Sequence, residues 1–278
     1  MPSTSRSFLS ALVCTFACAC SAARSEPSDR APQELLVTAA DFHFRAPQSI
    51  PAGLTRIRLK NDGPQFHHVQ LVRLDSGHTV QELLEQIAKK NFATPWATFV
   101  GGPESPMPGG ESEATLDLAE GQYAMICFIS APPDHVPHVA KGMALPLTVT
   151  AASGPRAREP EADVRMALND YSFATTPEIR AGRRTIRIEN AATQPHHVDI
   201  VRLKPGKTAA DALEWSKTHE GPPPAELFGG ATAIAPGKVN FITVDFTPGD
   251  YALFCFVPDA KDGKSHIVHG MVRQIRVE

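Results

Sequence analysis

Three things are scarce in this chain, and each scarcity removes a class of function. A basic surplus is missing: 27 Lys and Arg stand against 30 Asp and Glu, a formal net charge of -3 at pH 7. Nothing here draws in a phosphate backbone, and nucleic acid is excluded as a partner. Cysteine is sparse. Of five cysteines in 278 residues, Cys14, Cys18 and Cys20 lie in or beside the N-terminal segment, which leaves Cys127 and Cys255 for the folded part, too few for a disulfide framework. A bilayer-spanning run is also missing from the N-terminus. Arg6, the apolar stretch Phe8 to Val13 and a small-residue stretch ending Ser21-Ala22-Ala23 have the form of a secretory signal over residues 1–23, too short to span. Export to the periplasm is therefore expected. Cleavage after Ala19 would leave Cys20 first, so free secretion and a lipid anchor at Cys20 both stay open, the lipid being the one membrane contact implied.

What the sequence does contain is a duplication. Val37 to Thr150 and Val164 to Val277 match from end to end. Asp41-Phe42-His43-Phe44 answers Asp170-Tyr171-Ser172-Phe173, and His67-His68-Val69-Gln70-Leu71-Val72-Arg73-Leu74 answers His196-His197-Val198-Asp199-Ile200-Val201-Arg202-Leu203. From Gly101 and Gly229 onward the copies align without a gap. A hydrophobic share of 42% suffices for two cores. The boundaries follow: a first domain over residues 33–150, a linker over 151–162 rich in Ala, Pro and charged residues, and a second domain over 163–278. Alternating or β-branched runs such as Asn240 to Phe246, bounded by Gly and Pro, make each copy mainly β. Thr79 and Thr208 each open one short helix, inserted in its copy, with Val80, Leu83, Leu84 and Ile87 at helical spacing in the first.

The chemistry lies in a second recurring pattern. Cys127, His138 and Met143 in one copy and Cys255, His266 and Met271 in the other both read Cys, ten residues, His, four residues, Met. A soft thiolate, a thioether and imidazoles are the donors that suit copper moving between two oxidation states, with the thiolate and two imidazoles in a plane and a weak axial thioether. The second imidazole comes from His67 and His196, each expected to start a strand.

At these residues the sequence resembles the cupredoxin family, the Greek-key β-sandwich of plastocyanin and azurin. The stretch Ala131 to Met143 is similar to the type 1 copper loop of copper nitrite reductases. The resemblance implies an all-β chain of two tandem Greek-key sandwiches and one mononuclear copper per domain. Carried over residue by residue, the ligands are His67, Cys127, His138 and Met143, then His196, Cys255, His266 and Met271. In the family an Asn usually follows the first His and bonds across to the Cys loop. Here His68 and His197 stand in that place, either as that bonding partner or as competitors for the metal.

One-electron transfer with other redox proteins is the leading expectation. A copper donor or acceptor protein and a metal-free binding module are the alternatives. Nitrite reductase or multicopper oxidase activity is not expected: the neighbours of the two Cys are Ile126, Phe128, Phe254 and Phe256 rather than His, and no His-x-His pair occurs.

Overall fold

The computed structural model describes residues 1, 30–91, 94–130, 134–218 and 220–278. The N-terminal signal, its three cysteines and the lipid-anchor question lie outside them, as do Ala131 to Pro133 and His219. In the first copy the strands are β1 (Gln33–Ala40), β2 (His43–Arg45), β3 (Ser49–Pro51), β4 (Gly53–Asn61), β5 (Gln70–Leu74), β6 (Ala97–Gly101), β7 (Glu111–Leu118), β8 (Gly121–Ile126) and β9 (Ala144–Thr150). The second copy supplies β10 (Val164–Asn169), β11 (Ser172–Thr176), β12 (Gly182–Asn190), β13 (His196–Leu203), β14 (Ala225–Ile234), β15 (Val239–Phe246), β16 (Gly249–Phe254) and β17 (Val272–Val277). Two helices, α1 (Val80–Ala88) and α2 (Ala209–Thr218), complete an all-β architecture.

The two copies do not stand apart. Their strands join into one sheet of order β11-β10-β12-β15-β7-β4-β1-β2 and a second of order β17-β16-β13-β14-β6-β5-β8-β9-β3. The joints are short: Phe241 pairs with Thr115, and Ile234 with Val100. Period-two burial along the strands, as in Leu35, Val37 and Ala39, fills one apolar core that also takes in Cys127, Met143, Cys255 and Met271. The linker is not wholly exposed, since Ala157 is buried and Arg156 pairs with Asp117 at 3.1 Å.

The inserted helices start where the sequence placed them. Thr79 accepts from the Glu82 N–H and the Glu82 carboxylate accepts from the Thr79 N–H, a reciprocal cap; Thr208 and Asp211 repeat it. Leu83, with the partly buried Val80, Leu84 and Ile87, covers Val72, Leu74 and Ile126 on the outer face of the sheet, and α2 covers Leu203 and Phe254 in the same way.

One expected strand start differs between the copies. His196 opens β13, whereas in the first copy the strand begins at Gln70, three residues after His67. The reason is the neighbouring chain. Ala231 to Ile234 continue β14 beside His196, while the equivalent stretch after Gly102 is Pro103-Glu104-Ser105-Pro106, and proline cannot extend the ladder.

Candidate metal centre

Each centre is assembled from a loop before one strand and a loop after another. Asn61 and Asn190, both fully buried, donate to the Gln65 and Gln194 carbonyls at 2.8 Å and accept from the Gly63 and Ala192 N–H groups. These clamps fix the turns that present His67 and His196. On the other side the chain leaves β8 at Cys127 and makes a short 3₁₀ turn at His138–Lys141, stopped by Gly142 at φ +97°. The return is tied twice, by the Cys127 N–H to the Met143 carbonyl at 3.3 Å and by the Val139 N–H to the Cys127 carbonyl at 2.8 Å. Cys255, His266, Gly270 (φ +93°) and Met271 repeat the turn, with the Cys255 N–H donating to the Met271 carbonyl at 3.3 Å.

The sequence-expected residues converge. His67, Cys127 and His138 form one group and His196, Cys255 and His266 another, with the donor atoms of each group within 4.8 Å of one another. Cys127 and Cys255 are free thiols. All six residues, with Met143 and Met271, are fully buried. In the first group His67 Nδ1 lies 3.1 Å from His138 Nδ1, and Cys127 Sγ lies 3.6 Å from His138 Nδ1. In the second, Cys255 Sγ lies 3.8 Å from His196 Nδ1 and 3.4 Å from His266 Nδ1. A first-row ion at about 2.0 Å from nitrogen and about 2.3 Å from sulfur, in a roughly trigonal arrangement, separates its donors by about 3.1 to 3.8 Å. Two of the three donor pairs in each group stand at those separations, and the third lies within 4.8 Å.

Hydrogen bonds decide which ring nitrogens face inward. His67 Nε2–H donates to Asp41 Oδ1 at 2.7 Å, and His138 Nε2–H donates to Gln65 Oε1 at 3.1 Å, while the Gln65 amide nitrogen donates to Asp41 Oδ2 at 3.1 Å and so fixes which end of the amide faces the ring. Both Nδ1 atoms of the first group are therefore lone pairs aimed at one another and at the thiol. Two facing lone pairs at 3.1 Å repel unless a cation lies between them. His196 Nε2–H donates in the same way to Asp170 Oδ1 at 3.0 Å. Burial holds these histidines neutral: His138 and His266 fall to about 4, and His67 and His196 are lowered against the opposing pull of Asp41 and Asp170. Burial also pushes the Cys127 and Cys255 thiols up to about 12.

The two groups are not identical. His266 Nε2 is buried without a hydrogen-bond partner among the described residues and lies 3.7 Å from Asp259, a carboxylate held well below its ordinary range by bonds from Tyr171 and Gln194. Around His138 the corresponding surroundings are the Phe42 ring at 4.8 Å and Lys141, whose ammonium sits 4.5 Å over that ring.

His68 and His197 turn away from the thiols. Their Nε2 atoms accept the N–H groups of Phe128 and Phe256, at 2.9 and 2.7 Å, so each braces the peptide after its Cys. His43 and His135 are exposed, His78 stacks on Trp96 at 4.2 Å, and His269 faces Asp262 at 3.2 Å beside Asp259, a small acidic group that the other three histidines do not join. The sequence offered no sign of Glu104 and Asp199, which the structure places beside His68 and His197. Glu104 lies in a Pro-rich loop without period, and Asp199 reads as the polar face of an ordinary strand.

No protein-family model matches the chain, and no curated protein matches it. Solved structures do. An auracyanin from the photosynthetic bacterium Roseiflexus castenholzii is 21% identical over 44% of this chain and 99% of its own, with a TM-score of 0.29. An azurin from Methylomonas sp. strain J is 14% identical over 43% and 98%, at 0.28. A copper nitrite reductase from Nitrosomonas europaea is 12% identical over 89% and 94%, at 0.26. These are the kinds of protein the sequence resembles. The likeness is distant, and the centres stand on their own distances.

Proposed function

We propose that this chain is a two-domain copper protein of cupredoxin kind that carries single electrons outside the cytoplasm, with one type 1-like copper in each domain. The observation that carries the reading is the first group, two inward Nδ1 lone pairs and a thiol sulfur, fully buried and spaced as ligands of one ion. When bound, copper would supply a one-electron couple, tuned by the axial thioethers of Met143 and Met271.

The protein's own residues do the rest. Asp41, Gln65 and Asp170 orient the rings, so the ligands are set before metal arrives and need little rearrangement when its charge changes. The apolar core keeps water from the donors. Full burial of all four donor residues in each domain disfavours the copper-handover reading, which needs an entry path for a second protein's ligands. Val136 and Val268, exposed beside His138 and His266, give redox partners a small apolar contact close to each centre. Export, and whether the chain is free or held by lipid at Cys20, belongs to the same proposal and rests on the N-terminal sequence.

Voltammetry of the copper-loaded chain tests the role. A reversible one-electron wave for each domain, with metal retained through repeated cycles, is expected. Copper lost to a mild chelator within the time of a scan would contradict electron carriage and favour handover.

A further inference from the structure

Between the two centres, where the domains meet, lies a group that copper ligation leaves unused, buried at His68 and Glu104 and partly buried at His197 and Asp199. His68 and Glu104 come from the first domain, Asp199 and His197 from the second. His68 Nδ1–H donates to Glu104 Oε1 at 3.0 Å. Glu104, only 3% exposed, directs its other oxygen at no hydrogen-bond donor among the described residues. Candidate ligand atoms of Glu104, Asp199 and His197 lie within 4.8 Å of one another. Each histidine is fastened to its own Cys loop. The His197 N–H donates to Cys255 Sγ at 3.4 Å and its ring accepts from Phe256; the His68 ring accepts from Phe128, and its N–H faces Cys127.

We propose that His68, Glu104, Asp199 and His197 form an electron bridge joining the two metal centres within one chain. The inference rests on the copper reading above. In the exchange one electron leaves the reduced centre of one domain and arrives at the oxidised centre of the other; no atom is transferred, and the bridge keeps its protons.

A structural role alone does not account for these acids. The register that relates His68 to His197 makes Gln70 the counterpart of Asp199, and the gapless register after Gly101 makes Thr232 the counterpart of Glu104. At those positions the fold is satisfied by neutral side chains: Gln70 donates to the Leu71 and Ala233 carbonyls, and Thr232 to the Val69 carbonyl. Acids stand at only one of the two related places, and there they bridge the domains. Burial raises both carboxyls, to about 7 each, and the Glu104 charge raises Asp199 further, so with candidate ligand atoms of the two within 4.8 Å the pair is stable when one proton is shared between them. That proton closes the gap between the domains.

A bound cation is the competing occupant, but the histidines cannot ligate it. Each ring uses its Nε2 lone pair to accept a peptide N–H, which leaves a proton on Nδ1; ligation through Nδ1 would require an imidazolate.

The test has two arms. In the metal-free full chain, infrared difference spectra between wild type and Glu104→Gln at neutral pH should show a protonated-carboxyl band lost in the variant; its absence from wild type overturns the shared proton and the bridge with it. In the copper-loaded chain, with the first centre marked spectrally by Met143→Gln, a sub-stoichiometric pulse of electrons should be followed by first-order re-equilibration independent of protein concentration. Glu104→Ala should slow it at least tenfold with both copper bands intact, and Glu104→Gln should restore most of the rate. Should Glu104→Ala fail to fold, Asp199→Ala with Asp199→Asn as its rescue reads the same contact. An unchanged rate in the alanine variant, or relaxation that scales with concentration, overturns the bridge while leaving the copper reading standing. A third metal ion per chain that disappears with Glu104→Gln overturns it in favour of a cation site. Absent copper bands defeat the copper reading, and the infrared arm still reports on the carboxyl pair.

Discussion

Metal affinity should fall with acidity along a slope set by one proton per site. At each centre the metal competes with protons for three titratable donors, and burial has arranged them very unequally. The thiols sit near 12, so at pH 7 each is about five pH units below its midpoint, and freeing the thiolate costs ~7 kcal/mol that metal binding must offset. The imidazoles sit near 4 at His138 and His266 and are lowered at His67 and His196, so they already offer lone pairs at neutral pH. A falling pH strengthens the proton as competitor at sulfur alone. The apparent association constant for Cu(I) should therefore drop about tenfold for each pH unit between roughly pH 9 and 6, and steepen below that as the imidazoles charge, His138 and His266 only near pH 4. Anaerobic competition against a chromophoric chelator gives the slope, and calorimetry in buffers of different ionisation enthalpy gives the protons released, one per site at pH 7. A plateau at about pH 8 to 9 would mean an ordinary thiol, and a slope of two or three between about pH 6 and 7 would mean charged imidazoles. Either result refutes the reasoning.

Other consequences are open to simpler tests. His67→Ala should abolish copper binding in the first domain, whereas His68→Ala should keep it and cost about 1 kcal/mol in denaturant unfolding through loss of its bond from the Phe128 N–H; the reverse pattern would reassign the ligand. Gly230 has φ +140°, and a Cβ there would stand 2.0 Å from the Val198 carbonyl oxygen. Gly230→Ala should therefore destabilise the chain by about 3 kcal/mol or more, and a loss below about 1 kcal/mol would show that the strand can yield. Asp259→Asn removes a charge beside His266, and in a Cys127→Ser background it should raise the potential of the remaining centre by on the order of 100 mV, as expected for one charge at about 7 Å and an effective dielectric of ~20. No change would mean that solvent screens it.

The centres were legible because they are local patterns repeated. Cys127 and Cys255 recur with His and Met at fixed spacing, and the His-His pairs recur where each set is one imidazole short. Sequence left open which His of each pair faces the Cys; that orientation depends on the Phe128 and Phe256 N–H groups, sixty or so residues away in the chain. The continuity of the sheets was not legible either, because the pairing of Phe241 with Thr115 is a contact between copies that neither copy encodes alone. Glu104 and Asp199 escaped for a related reason. Duplication draws the eye to what the copies share, and these two acids stand where the copies differ.

The visible spectrum of the metal-free chain, titrated with Cu(II) while bound metal is counted, decides whether each domain holds a thiolate-bound copper. An intense thiolate-to-copper band is expected that saturates at two ions per chain, falls by about half in Cys127→Ser or Cys255→Ser, and vanishes in the double variant. No band at any copper level, or a band that survives the loss of both cysteines, would contradict it.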